Sequence, residues 1–174
     1  DVFGSARTWR IIGLTLTQAV VGTVVSVLLG VPGAYVLYRT TFPGRAALRA
    51  FVTIPFVLPT VVVGVAVKTL LAANGPLGFL GLDESFTAIV IALVFFNYSV
   101  IVRTVGGLWA ALDPRLVEAA RTLGASAWRA FWTVTLPALA PAIASGAAIV
   151  FLFCASAFGV VMVLGGVRFG TVET

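Results

Sequence analysis

Few side chains in this 174-residue chain could take part in bond-making. It has no histidine, which removes both the commonest general base and the commonest transition-metal ligand. Its one cysteine, Cys154, is set in an apolar run, so neither an internal disulfide nor a thiolate metal cluster can be built. The six acidic residues, Asp1, Asp83, Glu84, Asp113, Glu118 and Glu173, all lie outside the long apolar stretches, and a proton or sodium relay through those stretches would lack a carboxylate. The single lysine, Lys68, has no glycine-rich loop before it, and no Gly-x-x-x-x-Gly-Lys-Ser/Thr occurs. The chain is therefore not expected to bind ATP or to be an enzyme, and no cofactor or metal is expected on it. Two groups remain. One is Asn97, Tyr98, Ser99 and Arg103 inside an apolar stretch; the other is a polar loop, residues 113–137, holding Arg115, Glu118 and Arg121. Groups of this kind can guide a solute or seat against another protein.

The elements that must position them are membrane helices. Hydrophobic residues make up 60% of the chain, charged residues 10%, and the mean hydropathy is +1.13. Soluble domains carry about a quarter charged residues, so this composition needs lipid as its solvent. Long stretches free of acidic residues give four spans, 11–38, 47–73, 86–112 and 136–165. Each reaches the ~20 residues that cross a ~30 Å hydrocarbon core. No signal peptide is recognisable at the start. The net charge of +5 comes from basic residues dispersed beside these spans, a topology signal rather than a nucleic-acid surface. Arg39, Arg45 and Arg49 mark the first connection and Arg115, Arg121 and Arg129 the third, while the second holds Asp83 and Glu84 without Lys or Arg. The positive-inside rule then puts the first and third connections in the cytoplasm and both chain ends outside, with Arg7 and Arg10 running mildly against it.

Within the spans, Gly22, Ser26, Gly30 and Ala34, and again Ala140, Ala144 and Ala148, recur every four residues and offer faces for close helix packing. Pro55 and Pro59 are expected to bend the second span, either to line a cavity or as a packing feature. Asn97, Tyr98 and Ser99 fall near mid-depth of the third span. Arg103 either faces the bundle interior or snorkels to the headgroups, and Lys68 is read as a snorkelling anchor. In the loop, Asp113 followed by Pro114 predicts a helix start. Gly124 predicts a left-handed turn after Leu123, and Ser126 predicts the cap of a second helix that Pro137 interrupts. Leu116, Ala119, Ala120 and Leu123 fall on one ridge flanked by Arg115 and Arg121, which suits either a protein groove or a headgroup surface.

The stretch Glu118-Ala119-Ala120-Arg121-Thr122-Leu123-Gly124, nine residues, then Val134-Thr135-Leu136-Pro137 resembles the EAA loop of ABC-importer permeases. Every fixed position of that pattern is matched except that Val134 stands where isoleucine is usual. Pro55-Phe56-Val57-Leu58-Pro59-Thr60, Phe95-Phe96-Asn97, and Phe153 to Phe158 through Leu164-Gly165-Gly166 are similar to one half of the thiamine and ferric-iron permeases. The resemblance implies an all-α, polytopic transmembrane bundle of the type I importer kind, multi-pass in the bacterial inner membrane. It further implies that Glu118, Ala119, Ala120 and Gly124 belong to a cytoplasmic element docking on a dimer of ATPase subunits, which hold the ATP and magnesium. A second permease half, fused or separate, and an extracytoplasmic solute-binding protein are the other implied partners. The chain starts at Asp1, its one methionine is Met162, and further helices are expected before Asp1 and after Thr174. A secondary transporter and a non-transporting membrane scaffold are the alternatives, the first disfavoured by the missing intramembrane carboxylate. The expected cargo is ferric iron or thiamine.

Overall fold

The computed structural model describes residues 6–164. Eight α-helices are formed there: α1 (Ala6–Arg39), α2 (Arg45–Val57), α3 (Thr60–Leu71), α4 (Phe86–Ala111), α5 (Arg115–Thr122), α6 (Ala127–Ala130), α7 (Leu136–Ala155) and α8 (Phe158–Leu164). A 3-10 turn at Gly78–Leu80 precedes α4, a π-helical segment at Phe131–Thr135 joins α6 to α7, and no strand occurs among the described residues.

Helix α4 is the hub, meeting α1, α2, α3, α7 and α8. It starts at Ser85, whose hydroxyl accepts from the Ala88 amide at 3.1 Å and donates to the Leu82 carbonyl at 2.6 Å. Its buried positions wind around most of the helix, from Ala88, Ile89 and Leu93 to Ile101, Val105 and Trp109. The small face of α1 packs here: Gly22, Ser26, Gly30 and Ala34 are all buried. At Gly30 the approach is so close that a Cβ would lie 2.5 Å from Cγ2 of Ile101, a contact only glycine permits. The second small stripe behaves differently. Ala140, Ala144 and Ala148 are exposed, and α7 packs instead through Leu139, Ala142, Gly146, Val150 and Cys154. Polar groups tie the three long helices together: Gln18 Nε2 donates to the Cys154 carbonyl at 3.2 Å, and Asn97 Nδ2 donates to the Leu93 carbonyl at 2.9 Å with Cys154 Sγ at 3.5 Å.

Three helices are long and apolar enough to cross a membrane: Trp9–Arg39, Phe86–Ala111 and Ala127–Ala155. The second expected span, 47–73, is not one helix. Its halves, Arg45–Pro55 and Thr60–Leu71, meet at 99°, and each is too short to cross alone. The expected span 136–165 differs at both ends. The helix begins nine residues earlier, and Pro137 does not interrupt it, because the π segment widens the turn: the Leu136 amide bonds five residues back to Phe131. At its far end it stops at Ala155, where Ser156 leaves helical geometry (φ −100°, ψ 25°) and its hydroxyl bonds to the Leu152 carbonyl at 2.8 Å. Helix α8 then folds against α3 and α4. Gly165 and Gly166, with Asp1 and Glu173, lie outside the described residues.

The first and third connections share one end of the bundle, where Arg39 stands beside Asp113, Leu116 and Val117 around a small cleft. The second connection is at the other end of α4, and there Lys68 Nζ lies 3.9 Å from Glu84 Oε1. Lys68 thus has a carboxylate partner, in an exposed pair worth at most about 1 kcal/mol.

Candidate functional site

The loop after α4 is built by short-range signals. Asp113 Oδ1 accepts from the Arg115 amide at 2.9 Å, and Pro114 already has helical geometry (φ −61°, ψ −24°), so its missing N–H leaves nothing unpaired. Helix α5 ends in a Schellman turn: the Ala125 amide reaches the Ala120 carbonyl at 3.0 Å, the Gly124 amide reaches the Arg121 carbonyl at 3.0 Å, and Gly124 sits at φ 89°. Ser126 then caps the next helix through the Arg129 amide at 3.2 Å.

This turn sets α5 out from the bundle. Leu116, Ala119 and Leu123 are exposed, with Leu123 at 89%, while Ala120 is half-buried. Glu118, Arg115 and Arg121 are exposed, and none takes part in an ion pair among the described residues. The resulting surface is a narrow apolar ridge between charges, reached from outside the bundle.

Behind α5 lies a cleft of about 730 Å³, walled by Tyr35 and Arg39 of α1, Trp109 of α4, Val117 and Arg121 of α5, and Trp128 and Phe131. Aromatic rings connect its walls: Tyr35 to Trp109 at 5.4 Å between centroids, Trp109 to Phe131 at 6.2 Å, and Phe131 to Trp128 at 6.3 Å. These rings were not singled out in the sequence, although three of the four tryptophans flanking one loop is the pattern of an interfacial aromatic belt. They connect the loop to α1 and α4.

The expected pathway residues do not form one group. Asn97 is fully buried and turned to α7 through Cys154. Tyr98 packs on α1 at Gly33. Arg103 is exposed and, with Ser99, Val100 and Thr104, lines an open recess of about 300 Å³ on α4. Pro55 is buried and Pro59 exposed at the break between α2 and α3. Among the described residues no cluster of three or more His, Cys, Asp or Glu could hold a metal.

A helical bundle with several apolar spans and a capped, outward-facing loop defines a multi-pass membrane protein. The chain belongs to the family described as binding-protein-dependent transport system inner membrane component, which it matches over residues 22–173. It is 35% identical over 159 residues to the sulfate transport system permease protein CysT of Escherichia coli K12, covering 88% of this chain and 57% of that protein. A probable sulfate transport system permease protein cysT of Chlorokybus atmophyticus is 36% identical over 157 residues, covering 87% of this chain and 55% of its own length. The molybdenum transport system permease protein ModB of Escherichia coli K12 is 34% identical over 161 residues, covering 87% and 69%. The chain thus spans little more than half the length of these sulfate permease relatives. The fold is shared with the crystal structure of a bacterial ABC transporter involved in the import of the acidic polysaccharide alginate, at a TM-score of 0.77 and 21% identity over 97% of this chain and 64% of that one.

Proposed function

We propose that this chain is the membrane permease domain of an ATP-binding cassette importer, with α5 as the helix that couples it to a separate ATPase dimer. The observation that carries this reading is the exposed ridge of α5, held away from the bundle by the Schellman turn at Gly124 and backed by rings that reach α1 and α4. A rigid helix presented in this way can seat in a groove of a soluble partner and transmit its movement. The loop end faces the cytoplasm in this reading, since both basic connections are found there. ATP and magnesium belong to the partner, and a solute-binding protein delivers cargo on the opposite face. A second permease half completes the pathway.

For the cargo, the sulfate and molybdenum permease relatives favour a small oxyanion. Ferric iron and thiamine are the alternatives that the resemblance of the Pro55–Pro59 and Phe95–Asn97 stretches supports. The test is co-purification of the full-length protein with its ATPase and binding protein, followed by uptake of labelled sulfate, molybdate, ferric iron and thiamine into proteoliposomes. ATP-dependent uptake of one of these, lost on Glu118→Arg, is the expected result. Uptake independent of ATP, or an assembly without an ATPase, returns the chain to a secondary carrier or a scaffold.

A further inference from the structure

We infer that the recess on α4 formed by Ser99, Arg103 and Thr104 is an oxyanion-binding wall of the translocation pathway, with Arg103 as its cation. This inference rests on the permease reading above and adds to it the residues that would meet the cargo inside the membrane.

The charge of Arg103 is uncompensated. Lys68 with Glu84 is the one ion pair among the described residues, and Asp83, Asp113 and Glu118 lie in the connections at the two ends of the bundle. Arg103 stands eight residues before the end of α4, about 12 Å along the axis at 1.5 Å per residue. A helical side chain leans toward the helix N-terminus, so the stem of Arg103 starts away from the nearer helix end and toward the middle of the span. Snorkelling to the headgroups must reverse that direction, and a guanidinium left in the span needs a partner, for which an anion gives the strongest hydrogen bonds.

Ser99 is the second observation. It lies one turn from Arg103 in the direction of that lean and lines the same recess. Its hydroxyl is buried and has no hydrogen-bond partner. Several span hydroxyls bond to the carbonyl four residues back, Thr15 to Ile11, Thr23 to Ala19, Thr69 to Val65 and Ser145 to Pro141, whereas Ser99 and Ser26 of α1 are buried without a partner. Of these two, Ser99 is the one that lines the recess with Arg103, so its proton is available to a ligand there. A guanidinium fork offers two parallel N–H donors to the oxygens of a tetrahedral anion, and the serine offers an O–H from one turn away. All four lining residues come from α4, so the recess is open on its far side, where another polypeptide face would close it. A lipid phosphate would bring the same chemistry from the headgroup layer, and the test separates the two sources.

The experiment uses the full-length transporter with its ATPase and binding protein in proteoliposomes, with labelled sulfate and molybdate as probes. Arg103→Gln should lower oxyanion uptake at least tenfold while ATP hydrolysis stimulated by the loaded binding protein persists. Arg103→Lys should keep a measurable part of the uptake, and Ser99→Ala should raise KM two- to fivefold with little change in maximal rate. Unchanged uptake in Arg103→Gln overturns the inference. Unchanged uptake accompanied by loss of co-purified anionic phospholipid reassigns Arg103 to a headgroup. Loss of uptake and hydrolysis together, unrescued by lysine, makes Arg103 a structural residue and equally overturns it. A wild-type complex that hydrolyses ATP and carries iron or thiamine but neither oxyanion refutes the anion site while leaving the permease reading intact. A wild-type complex without ATP-dependent uptake of any cargo removes both.

Discussion

Helices α2–α3 and α6–α7 both meet proline in mid-course, and they respond in opposite ways. At Pro59 the preceding residue, Leu58, is extended (φ −74°, ψ 143°) and the chain turns by 99°. At Pro137 the preceding residue, Leu136, stays helical (φ −64°, ψ −44°), and one helix runs from Ala127 to Ala155. Proline removes a donor, crowds the carbonyl four residues back and disfavours helix in the residue before it. The π segment meets these demands ahead of Pro137 by widening the turn. At Pro59 no such segment precedes and the helix breaks, whereas Pro32 in α1 and Pro141 in α7 lie inside unbroken helices without one, so a π segment is one way past a proline and not the only one. A break inside the membrane leaves backbone groups to be paired by a neighbouring segment or a water-filled cavity, whereas an unbroken helix carries the movement of its loop directly into the bundle. A mobile gate and a rigid lever are the corresponding expectations.

The lever should fail most completely at Gly124. Its φ of 89° is closed to a β-branched residue, and left-handed geometry costs an ordinary L-residue roughly 1–2 kcal/mol. In Gly124→Val the Schellman turn should open and α5 lose its direction. Uptake per ATP hydrolysed in proteoliposomes is expected to fall tenfold or more while hydrolysis continues. An unchanged ratio would show that α5 is not the coupling part.

The gate should respond less steeply. Pro59→Ala frees Leu58 to become helical and lets α2 run into α3, and uptake should fall about threefold, the scale of ~0.6 kcal/mol. A cysteine introduced as Leu58→Cys reports the same change directly, because Leu58 is exposed at the break. Its maleimide reactivity should drop when Pro59→Ala is added. Equal reactivity in the two backgrounds would mean that packing against α4, rather than the proline, holds the bend.

What was legible beforehand followed from how local each signal is. Asp113, Gly124 and Ser126 act within three residues of themselves, and their caps are found as the sequence implied. The α1 stripe through Gly30 was legible for a similar reason, since small residues on an otherwise bulky helix mark where a neighbour approaches. The stripe Ala140, Ala144 and Ala148 has the same spacing and is exposed. Helix α7 is apolar all round, and in lipid periodicity alone does not say which face meets protein. Asn97, Tyr98 and Ser99 were grouped because they are adjacent, yet consecutive helical residues point about 100° apart, and the three face different neighbours. The fate of each proline turned on a local choice of register, the Leu136 amide bonding back to Phe131 before Pro137 and Leu58 becoming extended before Pro59, and proline alone does not dictate which is taken.

The smallest effect expected concerns what holds the π segment in place. Pro137→Ala restores a donor and removes the reason to avoid the carbonyl of Thr133, so an ordinary α-helix becomes available. Adopting it would rotate Ala127–Phe131 by about 100° relative to α7, at one residue per step, and would carry Trp128 and Phe131 away from Trp109. The aromatic row opposes that rotation, and aromatic pairs contribute about 0.5–1.5 kcal/mol each. Pro137→Ala alone should therefore change the stability of the purified transporter by no more than about 0.5 kcal/mol. Trp109→Ala in the same background removes the opposition, and the two changes should be non-additive, with a coupling of at least about 0.5 kcal/mol in a double-mutant cycle read from thermal unfolding. Simple additivity, or a large effect of Pro137→Ala by itself, would show that the proline and not the aromatic row fixes the lever's register.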